Sequence, residues 1–129
     1  MKTVLTTAGL VAAAQIWGAA TAFAGPWEDG MAAYNRGDFV PAMQLVRPLA
    51  QAGNAKAQAL LGVMYRRGEG VARSTVMAFM WLSLAARRGD PKAKAQLKTV
   101  GRALTSDEMS QARQMMQACE SSNYGNCAY

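Results

Sequence analysis

Beyond position 26, apolar residues recur at i, i+3 and i+4 spacing, and glycine interrupts the pattern at Gly37, Gly53, Gly68, Gly70 and Gly89. The pattern predicts short helices over residues 27–36, 39–52, 55–67, 75–88, 91–103 and 106–120. No segment alternates with period two for long enough to predict a strand, so the expected fold class is all-α. Local chemistry supports several of the ends. Asp90-Pro91 places a side-chain cap before a proline whose missing N–H costs nothing in a first turn. Gly89 can take the left-handed conformation that closes the preceding helix, and Arg87 and Arg88 suit the negative end of its dipole. The run Thr105-Ser106-Asp107-Glu108 carries the acceptors and acids that start a helix.

The chain also resembles itself. A shift of 36 positions pairs Gly53 with Gly89, Lys56 with Lys92, Ala57 with Ala93 and Leu61 with Leu97. It also pairs Ala42 with Ala78, Leu45 with Trp81 and Ala50 with Ala86. Near the start, Tyr34 and Gly37 align with Tyr65 and Gly68 at a shift of 31, so the first helix pair is expected to lack about five residues of the later turn. Self-similarity at this period is the signature of a helix-pair repeat, in which each pair buries its apolar face only against its neighbours.

The order Ala57, Leu61-Gly62, Tyr65, Gly68-x-Gly70-Val71, Ala78, Trp81-Leu82, Ala85-Ala86 and Gly89 resembles a Sel1-like repeat, a relative of the tetratricopeptide repeat. The resemblance is full over one repeat and partial over its neighbours, from Trp27 to Val100. The first unit has Gly30-Met31 where Leu-Gly is expected, and the third has Lys98 and Gly101 where Gly and Tyr would stand. The resemblance implies antiparallel helix pairs stacked as a short right-handed α/α superhelix, about two repeats long, with a C-terminal capping helix. Gly62 and Ala78 would let helices approach, Tyr65, Trp81, Leu61 and Leu84 would fill the space between pairs, and Tyr34 and Ala86 would also serve repeat packing. The expected organisation is a signal peptide over 1–24, repeats over 25–104, the capping helix over 105–120 and a tail over 121–129.

The first of those segments has Lys2, an apolar run from Val4 to Ala20 and a small-x-small ending at Ala22-Phe23-Ala24. It reads as a cleavable signal peptide, with a retained single-pass anchor as the alternative, and it predicts a periplasmic or secreted protein with no stable membrane insertion after cleavage. Cysteine usage agrees: Cys119 and Cys127, eight positions apart, can close a small disulfide loop in an oxidising compartment. The formal charge is +6, or +5 without Lys2, which suits an acidic partner as well as it suits simple solubility. Export argues against nucleic acid as that partner.

Catalytic chemistry is scarce. The chain has no histidine, which removes Ser-His and Cys-His nucleophile pairs, and no serine after position 25 has lysine three residues later. No phosphate loop or dinucleotide fingerprint occurs. A zinc site would need two ligands beyond the cysteines. The expectation is a non-enzymatic protein without metal or cofactor. Two alternatives stand beside it. Some disulfide-rich Sel1-like proteins resemble penicillin-binding proteins in function, which implies a cell-envelope hydrolase, although the repeated cysteine pairs are missing here. Met77-x-x-Met80 has a spacing that can hold Cu(I), while its helix also carries Ala78, Trp81 and Leu82, where methionine fills gaps in a core.

In related repeats the first helix of each pair lines a concave groove. Here those helices carry Lys56 and Arg66, then Lys92 and Arg102 one period later, with Asn35 at the position matching Arg66 in the first unit. By analogy with tetratricopeptide repeats, these residues are expected to hold an acidic or C-terminal peptide segment of a protein partner; the alternative is a solvated basic face. Arg67, Arg87 and Arg88 add charge near the rims.

Overall fold

The computed structural model describes residues 25–127. The signal-peptide expectation for 1–24 therefore lies outside the described residues. Within them the chain is helical throughout, with α1 Pro26–Arg36, α2 Phe39–Gln51, α3 Ala55–Arg67, α4 Thr75–Arg87, α5 Pro91–Arg102 and α6 Ser106–Ser121, and no strand. The caps are local and chemical. Asn54 accepts from the Ala57 N–H at 3.0 Å and Asp90 from the Ala93 N–H at 2.8 Å, so α3 and α5 start with the same device one period apart. Ser74 caps α4, and Thr105 and Glu108 form a reciprocal capping box at α6. Gly53 and Gly89, the period-related pair, sit at φ +88° and +92°. At these values a side chain would be strained.

Short connections make consecutive helices antiparallel. α1 packs against α2, and α3 against α4, as the two fullest helix pairs, while α2 against α3 and α4 against α5 join one pair to the next. The α1–α2 turn comprises residues 37–38 and the α3–α4 turn residues 68–74, a difference of five residues that matches the expected shortening. The longer turn folds back on the first pair: a Cβ on Gly70, which has φ +73°, would lie 2.6 Å from the Phe39 carbonyl oxygen. Glycine is required there both for the backbone sign and for the close approach.

α4 is the central helix. Met77, Ala78 and every residue from Met80 to Ala85 are buried, and Trp81 is the largest side chain with no exposure. A helix apolar on nearly all sides must be surrounded, and α3, α5 and α6 all pack on it. Met77 and Met80 both belong to this core, at 8% and 0% exposure, which fits the packing reading of that pair rather than a copper site. Gln58, also fully buried, donates from Nε2 to the Ala50 carbonyl at 3.1 Å and so ties α3 to the end of α2.

The first unit packs one residue out of the register suggested by its tyrosines. Gly30 faces Ala42, Leu45 and Val46 of α2, just as Gly62 faces Ala78 and Leu82 of α4. Since Ala42 and Val46 precede Ala78 and Leu82 by 36, Gly30 does the work of Gly62 at a shift of 32, whereas the left-handed caps Gly37 and Gly68 keep the shift of 31. Ala33, at 2% exposure, then takes the core place of Tyr65, at 4%. Tyr34 is displaced to the edge, half-buried, where its ring meets Phe39 at 5.4 Å. Tyr34 thus packs against the core from its edge. Asn35 and Arg66 each stand two residues before the caps Gly37 and Gly68.

α6 closes the far end by laying Ala112, Met116 and Cys119 against the core, chiefly on α4. Two arginines expected near the rims instead fasten the C-terminal segment. Arg87 pairs with Glu120 at 2.7 Å, and Arg88 donates to the Tyr124 hydroxyl at 2.6 and 2.8 Å. The Arg88 guanidinium also covers the turn at Gly53, where a Cβ would lie 2.8 Å from Nη2. Cys119 and Cys127 form a disulfide, both with almost no exposure. Replacing both by alanine is expected to cost about 2 kcal/mol by releasing this small loop. Urea unfolding of the oxidised protein and the variant, with equal slopes and a lower midpoint for the variant, would show it.

Candidate partner-binding groove

α1, α3 and α5, the first helices of successive pairs, border one groove of about 530 Å³. Each contributes a stripe at helical spacing: Trp27, Met31 and Tyr34 from α1; Lys56, Ala59, Leu60 and Val63 from α3; Lys92 and Gln96 from α5. The apolar members are half-buried, so they form a floor that is partly open to solvent. Lys56 and Lys92 are exposed and stand at the second position of their helices, one period apart. Asp90 also borders the groove, but its Oδ1 is engaged as the cap of α5. Gln96 presents a different feature: its Oε1 is shielded from solvent and accepts no hydrogen bond from the described residues.

One wall is held by a polar cluster. The Tyr34 hydroxyl donates to Glu69 Oε1 at 3.3 Å and accepts from Arg67 Nη1 at 3.3 Å, while Arg67 and Glu69 pair at 3.6 Å. Burial, and then the Glu69 carboxylate, raise the pKa of this phenol above its usual value. It remains protonated at neutral pH and keeps its donor role. Arg67 is thus a strut between α1 and the α3–α4 turn rather than free charge at a rim.

The sequence-predicted basic residues do not form one constellation. Lys56 and Lys92 line the groove; Asn35, Arg66 and Arg102 do not. The reason is helical geometry: ten residues separate Lys56 from Arg66 and Lys92 from Arg102, which is about 15 Å along the axis and about 80° away from the same face. Arg66 instead borders a second cleft, with Arg67 and Arg73, and Arg102 is exposed in the last turn of α5. Of the packing residues, Leu61, Tyr65, Ala78 and Trp81 are buried, Gly62 meets α4, and Ala86 is partly buried against the core.

Sequence reasoning missed the groove floor. Trp27, Met31, Leu60 and Val63 carry the same spacing as core residues, and spacing alone does not say which apolar stripe a neighbour will cover. The signal that could have found them is a second apolar stripe on first helices that already carry one for the core. Among the described residues no helix is long and apolar enough to cross a membrane, and no group of three or more His, Cys, Asp or Glu could hold a metal ion.

In a comparison with protein families, residues 55–90 match the Sel1 repeat. These are α3, α4 and the turn that follows each, the unit with the full motif. A search of curated proteins finds no match.

Proposed function

We propose that this chain, whose residues 55–90 match the Sel1 repeat, works outside the cytoplasm as a non-enzymatic adaptor holding a protein partner in the groove formed by α1, α3 and α5. Sel1 repeats generally mediate protein–protein interaction. The observation that carries the reading here is the groove, an apolar floor with period-related lysines at its rim. A bound segment would place a large apolar side chain against Trp27, Met31 and Leu60 and an acidic group near Lys56 and Lys92. The signal-like segment 1–24 supports the export part of this reading, and the disulfide suits an oxidising compartment. A cell-envelope hydrolase finds no support in the groove, which has neither a nucleophile pair nor a paired carboxylate.

The test is a pull-down from envelope extract with the purified protein and with Lys56→Glu/Lys92→Glu as baits. The variant is expected to weaken partner retention on the order of tenfold, and retention by the unaltered protein is expected to fall with salt. Trp27 provides a second readout, since its emission should shift when a partner peptide covers the floor. Equal retention by both baits, at low and high salt, would remove the groove as the site.

A further inference from the structure

A second cleft, of about 440 Å³, opens on another part of the molecule, between the end of α3, the 68–74 turn, the start of α4 and the end of α5. Arg66, Arg67 and Arg73 border it together with the hydroxyl-bearing Thr75 and Thr99, and no carboxylate is among its lining residues. Arg67 is held by Glu69 and Tyr34. Arg66 and Arg73 have no ion pair or side-chain hydrogen bond among the described residues, although Arg66 is only partly exposed. Like charges gathered around one concave space repel one another, and the field they create favours an anion. Thr75, the first residue of α4, brings the positive end of that helix to the space, while α3 and α5 bring their negative ends, so the anion preference rests on the arginines.

We propose that this cleft binds a phosphate group, with Arg66 and Arg73 as its principal ligands, Arg67 held in place by Glu69, and Thr75 and Thr99 as hydroxyl donors. A phosphate matches the donor set better than a carboxylate does. Guanidinium forks bond two oxygens each, and a tetrahedral group with up to two charges offers enough acceptors for more than one fork plus hydroxyls. The inference is independent of the partner-binding groove, which uses different residues on α1, α3 and α5. The phosphate could belong to a small soluble anion or to a lipid headgroup at the membrane surface, and the arms of the test separate these.

Titration calorimetry with inorganic pyrophosphate and sedimentation with vesicles of phosphatidylglycerol, against vesicles of phosphatidylcholine, provide the two probes. Arg66→Ala/Arg73→Ala is expected to lower affinity at least tenfold for whichever probe binds. Arg113→Glu, on exposed α6 surface, changes the net charge by the same amount and is expected to leave binding within twofold. Arg66→Lys/Arg73→Lys keeps the charge without the fork and should fall between. Pyrophosphate binding assigns the site to a soluble anion; vesicle binding alone, lost in the same double variant, assigns it to a headgroup. The proposal is overturned if the unaltered protein binds neither probe, or if Arg113→Glu weakens binding as much as the double alanine variant. It is equally overturned if the alanine variant melts lower but binds as before, since the arginines would then serve only the ends of their helices.

Discussion

Replacing Gly62 by leucine is expected to lower the melting temperature by 15 °C or more. A Cβ alone at this position would lie 2.7 Å from Leu82 Cγ, 3.0 Å from Leu82 Cδ2 and 3.2 Å from the Ala78 carbonyl oxygen. Leu82 is fully buried, so its side chain cannot simply swing into solvent, and the carbonyl is backbone. The interface must therefore separate along the fullest helix pair, α3 against α4. Overpacking costs of 1–3 kcal/mol apply when a few methylenes are added to a packed core, and a whole leucine at a helix crossing should exceed about 3 kcal/mol. In a domain of this size each 1 kcal/mol is worth roughly 4–8 °C. Gly62→Ala is the informative companion: its higher helix propensity offsets part of the clash, so it should destabilise by much less than leucine. A leucine variant that melts with the unaltered protein would remove the close approach as a feature of the repeat.

Trp81→Ala should be comparably severe, at about 3–5 kcal/mol. Trp81 has no exposure and lies on α4, the helix against which α3, α5 and α6 all pack, so its removal opens a cavity at the centre rather than at an end. Urea unfolding should show a lowered midpoint, and the transition should stay single because the helices on either side lose the same support. A loss under 1 kcal/mol would mean that the neighbours collapse into the space and that the core is far softer than its packing implies. The variant has a practical use as well. With Trp81 gone, and Trp17 absent from a protein that starts at Gly25, Trp27 is the one tryptophan left and its emission reports the groove alone.

The features that could be read from sequence are those set by neighbours in the chain. Asp90 with Pro91, Thr105 with Glu108, and the left-handed glycines act within a turn, so the helix ends followed from short stretches. The period of 36 was legible because Gly53 and Gly89 satisfy the same backbone demand. The register of the first unit was not, because an alignment follows conspicuous residues such as Tyr34, whereas the packing follows a missing side chain at Gly30. The pairings of Arg87 with Glu120 and Arg88 with Tyr124 span 33 and 36 residues, and nothing local announces which acid or phenol an arginine will meet. The separation of Arg66 from Lys56 is different in kind. It follows from helical geometry alone, and equivalence between repeats concealed it, since residues can be equivalent from unit to unit without sharing a face.

The arginine that covers the Gly53 turn links two places far apart in the chain. A side chain at position 53 would have to displace the Arg88 guanidinium, and Arg88 is the group that holds the Tyr124 hydroxyl. Sequence change at either place is therefore conditional on the other. Once Tyr124 has been lost, Arg88 is free to swing aside, and a substitution at Gly53 should do less harm than it does in the intact protein, leaving only the strain of its backbone angle. The turn between the first two units and the end of the chain thus form a single evolutionary character, in which the order of mutations decides which of them can be tolerated.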